Sequence, residues 1–487
     1  MNLTPSHIYT LYTPSVCTRR VYLRAKNYSE AEPSPFQKLL DELGLRHEQN
    51  HLDTFEKYTD LQDGSIDQRV ANTIDAVHNK ADAIYQGVLR SVLPGTQESV
   101  FGIPDFLIRS DDGYVIRDCK LARKADDKHH TEILLQLELY GWLYEQTFQT
   151  PPAGLEVYLG DESILSLEYR GGNDALSVLQ DIRRISLLPE EPFSPVGWTK
   201  CGACGFKARC WGMAEEQNDV ALIPGIDKDA AQALINDGVT RVNDLLSKYD
   251  ADSLSNLKKP RGKSMVRIGK TAERILLEAE ALRDNKEIQI APVELPDSAD
   301  MVMFDLEGLP PHFDELDKVY LWGMQVYGDN PSEFMPALAG FGTEGDREGW
   351  EQFLSYAQKI FNQYSEIPFV HWHHYETTKI KSYRDRYGDR DGIAQRVLDN
   401  CFDLLPITKK SLVLPVYSYS LKVIEQYAGY KRRMNEFGGD WSIVQYIRAV
   451  ETEDQDLRQS IMKEILKYNE EDLQATWAVV KWLRSKI

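Results

Sequence analysis

Asp105, Asp118 and Lys120 are the residues of this chain whose types and spacing most directly invite chemistry. Asp118 and Lys120 stand two apart in the strand-like run Tyr114-Val-Ile-Arg-Asp-Cys-Lys-Leu121, so the pleat turns both side chains to one face. Asp105 lies in a second strand-like run, Val100-Phe-Gly-Ile-Pro-Asp-Phe-Leu-Ile-Arg109, and Ser-Asp-Asp-Gly113 between the two reads as a tight reversal. A hairpin of this kind brings the carboxylates together. Two carboxylates hold a hard divalent cation such as Mg²⁺ or Mn²⁺, which activates a water, and an ammonium beside them orients that water or offsets charge building in the transition state. The Cys119 carbonyl between them offers one more ligand oxygen.

Other residues frame this pair. Gly44-Leu-Arg-His47 places an imidazole on a helical stretch upstream, with His51 a competitor four residues on. Downstream, Gln136 and Tyr140 stand at i, i+4 on one helix face. Taken in order, G-x-x-H, G-x-x-D, D-x-K and Q-x-x-x-Y resemble the motifs of the RecB-like PD-(D/E)XK nucleases, shared by the CRISPR-associated RecB-like exonucleases and the helicase-nuclease AddB. That resemblance implies a metal site of His47, Asp105 and Asp118, with Lys120, Gln136 and Tyr140 completing the catalytic set, and phosphodiester hydrolysis as the reaction.

Cys201-Gly-Ala-Cys204-Gly-Phe-Lys-Ala-Arg-Cys210 offers three thiols from one segment, and a tetrahedral site needs a fourth. Cys17, in Pro14-Ser-Val-Cys-Thr-Arg-Arg20, resembles the lone N-terminal ligand of the iron–sulfur RecB-like nucleases. The resemblance implies a structural 4Fe-4S cluster on Cys17, Cys201, Cys204 and Cys210, clamping the two ends of the domain. Four thiolates suit zinc equally, and zinc stays open as the alternative.

A second constellation lies near the C-terminus. Met303-Phe-Asp-Leu-Glu307 is an apolar strand with Asp305 and Glu307 on one face, and Tyr468-Asn-Glu-Glu-Asp472 puts Tyr468 and Asp472 on one side of a helix. These resemble the first and last motifs of the DEDD exonucleases, which have an RNase H-like fold. The middle motif is best matched by His371-Trp-His-His-Tyr375-Glu376, with glutamate for the usual aspartate and histidine for the usual amide. Asp403 is a further carboxylate that could serve. The pairing of domains resembles predicted RNase H-like domains joined to RecB-like nucleases in bacterial and archaeal proteins.

The elements that must position these groups alternate. Ser34 to Tyr58 and Val70 to Leu93 read as helices, the hairpin follows, then a helix over Thr131 to Phe148 and strands over Gly154 to Leu159 and Ser163 to Tyr169. Asp174 to Leu188 is helical. Leu222-Ile-Pro-Gly-Ile226 before Ala230 to Ile235 resembles a helix-hairpin-helix, with a weaker copy at Val266-Arg-Ile-Gly-Lys270. Its turn amides could meet a phosphate, or the segment is a plain helical spacer. Strands then run over Asp300 to Gly308, Lys318 to Tyr327 and Glu333 to Leu338, and helices dominate from Arg347.

The expected fold is α/β: a PD-(D/E)XK nuclease domain over 1–213, a small helical helix-hairpin-helix-like spacer over 214–295 and an RNase H-like domain over 296–487. At 487 residues the chain is long enough for this division. Its apolar fraction of 42% and mean hydropathy of -0.44 are globular, with no run near the ~20 apolar residues of a membrane span. The N-terminus lacks a basic stretch followed by an apolar block, so a cytoplasmic protein is expected. A formal charge of -20 argues against coating nucleic acid non-specifically, and confines any phosphate-binding surface to local basic runs. Two such runs are Arg19, Arg20, Arg24 and Lys26, and Lys258, Lys259, Arg261, Lys263, Arg267 and Lys270. The family resemblance implies single-stranded DNA ends as substrate, RNA remaining open, and a helicase or defence-system partner. The competing reading is a non-catalytic nucleic-acid-binding or scaffold protein with a degenerate RNase H-like domain.

Overall fold

The computed structural model describes residues 2–487 except 127, 263, 311–316, 341 and 434–438. Lys263 of the second basic run therefore lies outside the described residues. The chain folds into two compact units, one of residues 1–194 with 199–209 and one of 195–198 with 210–487. No helix among the described residues is long and apolar enough to cross a membrane.

The first unit runs α1 (Pro5–Tyr12), α2 (Thr18–Ala25), α3 (Pro35–Leu52), β1 (Thr59–Asp60), α4 (Ile66–His78), β2 (Ala83–Tyr85), β3 (Leu89–Val92), β4 (Ser99–Gly102), β5 (Phe106–Ser110), β6 (Gly113–Cys119), α5 (Thr131–Phe148), β7 (Gly154–Tyr158), β8 (Ile164–Leu167) and α6 (Asn173–Ser186). Six strands form one sheet in the order β1-β2-β5-β6-β7-β8, and β3 and β4 make a separate ribbon. The expected hairpin is β5–β6, paired from Phe106↔Arg117 to Ser110↔Gly113. On one face Leu52, Tyr85, Phe106 and Cys119 form an apolar cluster. The opposite face of β6, which carries Ile116 and Asp118, belongs to α5, whose Leu135, Leu137, Leu139, Trp142 and Leu143 are buried.

Two expectations are corrected here. Val70 to Leu93 is not one helix: α4 ends at His78, Lys80 turns through a positive φ of 58°, and Ala83–Tyr85 joins the sheet against β5. Residues 83–85 are buried in succession, the signature of a strand covered on both sides. Val100 to Arg109 is likewise two strands. Pro104 has no N–H to donate, and Asp105 follows it just ahead of β5.

Helix α7 (Lys207–Gln217) leads on to α8 (Lys228–Asn236), α9 (Val242–Lys248), α10 (Ala251–Asn256), β9 (Lys258–Arg261), β10 (Ser264–Arg267), α11 (Ala272–Asp284) and β11 (Ile288–Gln289). Both stretches expected to start helix-hairpin-helix copies are indeed followed by helices, α8 and α11, and they share one core including Ile223, Ile226, Ala231, Leu234, Ile268 and Ile275. The Gly225 N–H, however, donates to Glu278 Oε2 at 2.8 Å, so an internal carboxylate takes the position a phosphate would need. The segment is built into the second unit. Arg274 donates to the carbonyls of Lys409 (2.7 Å) and Leu412 (2.9 Å) and to the Tyr419 hydroxyl (2.7 Å), and β11 pairs with Leu412–Val413.

The rest of that unit is β12 (Met301–Leu309), β13 (Lys318–Tyr327), β14 (Met335–Leu338), α12 (Gly342–Tyr364), β15 (Phe369–His371), α13 (Tyr375–Tyr387), α14 (Ile393–Asn400), β16 (Cys401–Asp403), α15 (Leu404–Ser411), β17 (Leu412–Val413), α16 (Leu421–Tyr427), α17 (Gly439–Glu451) and α18 (Gln455–Arg484). Its sheet has the order β14-β13-β12-β15-β16, with β12, β15 and β16 parallel and β13 and β14 antiparallel to their neighbours. The central β12 is nearly all buried, clamped by a core of Val302, Phe304, Trp322, Trp350 and Phe353 on one side and Met301, Met303, Leu473 and Val480 on the other.

Gly323, opposite Asp305 on β13, lets α18 approach the sheet: a Cβ there would lie 1.7 Å from Asn469 Oδ1. A glycine inside a strand ordinarily gives way to alanine with a gain. Here Gly323→Ala is expected to lower unfolding free energy by about 1–3 kcal/mol through overpacking, measured by urea denaturation, and an unchanged or higher midpoint would contradict this contact.

Candidate active sites

In the first unit the hairpin delivers Asp105 and Asp118 as buried carboxylates. Asp105 Oδ2 accepts the Cys119 N–H at 2.7 Å across the β5–β6 pair, and Lys120 forms an ion pair with Asp118. Burial, reinforced by Asp118, pushes the Asp105 pKa well above the usual carboxylate range, with Lys120 opposing the rise. Burial works most strongly against the Lys120 ammonium, but Asp118, Tyr9, Asp105 and Tyr140 together outweigh it and hold its pKa above the usual lysine value. Gln136 and Tyr140 of α5 sit over this group in a hydrogen-bond chain: Tyr9 OH to Gln136 Oε1 (2.8 Å), Gln136 Nε2 to Tyr140 OH (2.7 Å), Tyr140 OH to the Ile103 carbonyl (3.0 Å). Together with Lys120 they line an open cavity of about 460 Å³. Gly102 gives the Tyr140 ring its place, since a Cβ there would meet the ring at 2.6 Å.

The histidines sit against Tyr158, whose carbonyl also accepts the Lys120 N–H at 2.8 Å. His47 stacks on Tyr158 with centroids 4.8 Å apart, its Nε2 3.3 Å from the Tyr158 carbonyl. His51 is buried on the Phe106 face, 3.1 Å from an Arg117 nitrogen, and burial followed by Arg117 lowers its pKa to about 4, which leaves it neutral. The residue beside His47 is the one tied to the acids. Glu48 accepts from Tyr85 OH at 2.8 Å and from Gln86 Nε2 at 2.7 Å, and the same amide reaches Asp105 Oδ1 at 3.3 Å. The sequence reading missed Glu48, although its position next to His47 on α3 was a usable signal.

Cys17, Cys201 and Cys204 belong to the first unit and share a neighbourhood: burial raises the Cys204 thiol, Arg20 lowers it, and Cys17 and Cys201 raise it further. Their loop is tied to the N-terminal region by Ala31 N–H to the Gly205 carbonyl (3.0 Å) and Gln37 Nε2 to the Ala203 carbonyl (3.1 Å). The Cys17 thiol donates to Ser194 Oγ at 3.4 Å. Cys210, on α7, packs against the helical core of the second unit. The first basic run is largely neutralised locally, Arg19 by Glu191 and Arg20 and Arg24 by Glu30.

In the second unit, Asp305, Glu307 and Asp472 place one carboxylate oxygen each within 4.8 Å of one another, the single such His, Cys, Asp or Glu group among the described residues. Strand β12 supplies two of them and α18 the third. Asn469, one turn before Asp472, donates to Asp305 Oδ2 at 2.8 Å. Ser442 donates to Glu307 Oε2 at 2.7 Å, while Tyr320 donates to Ser442 at 2.8 Å. Burial and then Asp472 raise the Glu307 pKa to about 8. Burial, Asp472 and Glu307 raise Asp305, and burial raises Asp472 against the pull of Arg432. Tyr468 is buried beside the three acids, its hydroxyl pushed up first by burial and then by Asp472.

Glu376, second residue of α13, adds to the repulsion on Asp305 but points its Oε2 3.3 Å from His371 Nδ1. Asp403 is a helix cap, with Oδ1 accepting the His373 (2.8 Å) and Leu405 (3.0 Å) amides. Arg432 was not foreseen at all: it bridges Glu425, 2.8 Å from its Nη2, and Asp472. Nothing in the local sequence links position 432 to the acids, whereas Asn469 shares a helix face with Asp472 and could have been found.

The unfolded chain has an ordinary glutamate at 307, whereas the folded protein holds its proton to about pH 8. Without metal, rising pH from about 4.5 to about 8 ionises the unfolded chain first, so this group lowers stability across that window. In EDTA, melting temperature is expected to fall over that range more steeply in wild type than in Glu307→Gln, and parallel slopes would contradict the assignment.

Comparison with known proteins assigns superfamilies to two stretches of the chain. Residues 21–211 match a family model of the PD-(D/E)XK nuclease superfamily, and residues 302–484 match one of the RNase_H superfamily. No curated protein matches the chain. A solved structure titled "Crystal structure of SSO0001" is similar at 14% identity over 36% of this chain and 96% of its own, with a TM-score of 0.20. The chain carries a PD-(D/E)XK nuclease superfamily domain followed by an RNase H superfamily domain.

Proposed function

We propose that the protein is a metal-dependent nuclease that hydrolyses phosphodiester bonds of DNA, acting exonucleolytically on single-stranded ends in repair, processing or defence. The observation that carries this reading is the burial of mutually repelling carboxylates: Asp105 with Asp118, and Asp305 with Glu307 and Asp472, their charge calling for a cation. All-oxygen donor sets of this kind fit Mg²⁺ or Mn²⁺. Bound there, such an ion would activate water and neutralise phosphate charge. Lys120 orients the attacking water at the first site while Gln136 and Tyr140 hold the strand's backbone in the adjoining cavity. At the second, Asn469 and Ser442 fix Asp305 and Glu307, and Tyr468 positions the water.

Cys17, Cys201, Cys204 and Cys210 would hold a structural 4Fe-4S cluster. The spacing of the four and the shared neighbourhood of three support it, with zinc the rival. Anaerobically purified protein is expected to be brown with broad absorption near ~400 nm, and colourless protein loaded with zinc would refute the cluster.

One observation favours a non-catalytic second domain: Arg432 already occupies an oxygen of Asp472. End-labelled single strands with Mg²⁺ or Mn²⁺ separate the readings. Asp118→Ala or Lys120→Ala is expected to remove one cleavage polarity and Asp305→Ala the other, each by at least about 100-fold. Loss of the same polarity in both would refute two independent sites, and an inert Asp305→Ala would leave the second domain as a binding module.

A further inference from the structure

Neither acid site uses the cavity of about 470 Å³ that runs along α13 and α14 beside β16. His371 and Cys401 both line it. Strands β15 and β16 are parallel partners with Phe369 opposite Cys401 and His371 opposite Asp403, so the imidazole and the thiol are diagonal neighbours on one face of the sheet. His371 is 1% exposed. Its Nδ1 is committed to the His373 carbonyl at 2.6 Å and to Glu376 Oε2 at 3.3 Å, whereas its Nε2 is buried with no hydrogen-bond partner. Glu376 is itself buried. Burial alone would leave this ring neutral, but the Cys401 thiol and the Glu376 carboxylate raise its pKa to about 10. Cys401 and Glu376 thus both act on the His371 ring, and the half-buried Cys401 lines the cavity wall.

We propose that Cys401 is a nucleophilic thiol, assisted by His371 and Glu376, that forms a mixed disulfide with small carboxylate-bearing disulfides entering this cavity. An imidazolium beside a thiol stabilises the negative charge of the attacking sulfur. The thiol proton passes to water. Sγ attacks one sulfur of the disulfide, a new S–S bond forms as the old one breaks, and the displaced half leaves as a thiolate that takes up a proton from water. The Cys401 sulfur is oxidised and the departing sulfur reduced to the same extent, so no further oxidant is needed. Lys381 and Arg384 supply the cavity wall with positive charge for the carboxylates. The wall also holds Asp399 and Asp403, which keep their charge but turn an oxygen to protein donors, Asp399 to Gln395 Nε2 at 2.7 Å and Asp403 to two backbone amides, and Arg384 lies 3.8 Å from Asp385. No step involves metal or nucleic acid, although Glu376 also bears on Asp305 of the second acid site.

The test treats the whole protein with oxidised glutathione and follows each cysteine by peptide mass spectrometry, with buried Cys119 as the slow reference thiol and the fluorescence of buried Trp322 and Trp350 reporting unfolding of the unit that holds Cys401. Cys401 is expected to react at least about tenfold faster than Cys119, and His371→Gln to remove most of that advantage. Lys381→Gln with Arg384→Gln is expected to slow oxidised glutathione but not the neutral 2-hydroxyethyl disulfide. Cys401 as slow as Cys119 in wild type, an undiminished rate in His371→Gln, or equal slowing of both disulfides by the charge removal would overturn the proposal. Should His371→Gln also shift that fluorescence, Glu376→Gln decides: slowing at Cys401 with the fluorescence unchanged supports the relay, and an unchanged rate refutes it.

Discussion

Like charges crowded into a buried place constrain both halves of this molecule. Asp105 beside Asp118, and Asp305 beside Glu307 and Asp472, are each taken out of water and pressed against a neighbour of the same sign. Such groups respond by keeping protons, by recruiting fixed cations, or by binding metal. All three responses have their means here. Raised pKa values mark the first, Lys120 and Arg432 serve the second, and the gathered oxygens at the second site prepare the third.

The supporting structure is arranged to hold that unfavourable grouping in place. At the first site the backbone does the holding, because the Cys119 amide that fixes Asp105 belongs to the strand that carries Asp118. At the second, side chains from α17 and α18 do it through Ser442 and Asn469, and glycine at 323 allows the approach. The helical segment before β12 is part of this scaffold, for Arg274 ties α11 to the end of α15 and to β17. Its Gly225 turn is closed by Glu278, which makes structural sense of a motif that could have signified phosphate binding.

What was legible in the sequence is what depends on short-range periodicity. The two-residue spacing of Asp118 and Lys120, of Asp305 and Glu307, and the turn at Asp112-Gly113 fix strand faces without knowledge of the fold. Helices α5 and α6 were readable for the same reason. The stretch 70–93 misled because Val77, Ala81, Ile84 and Val88 fall at helical spacing, while the fact that decides the matter, pairing of Ala83–Tyr85 with β5, is a long-range one. Glu48 was hidden by the more eye-catching His47 beside it. Arg432 was out of reach altogether, because its partners Glu425 and Asp472 are brought to it only by the fold.

The most direct test of the account is anomalous scattering at the manganese edge from crystals grown with Mn²⁺. The account requires a peak among the Asp305, Glu307 and Asp472 oxygens and another between Asp105 and Asp118, at about 2.0–2.3 Å from the carboxylates. Fully occupied lattices with manganese absent from both places, and both carboxylate groups still buried and protonated, would contradict it.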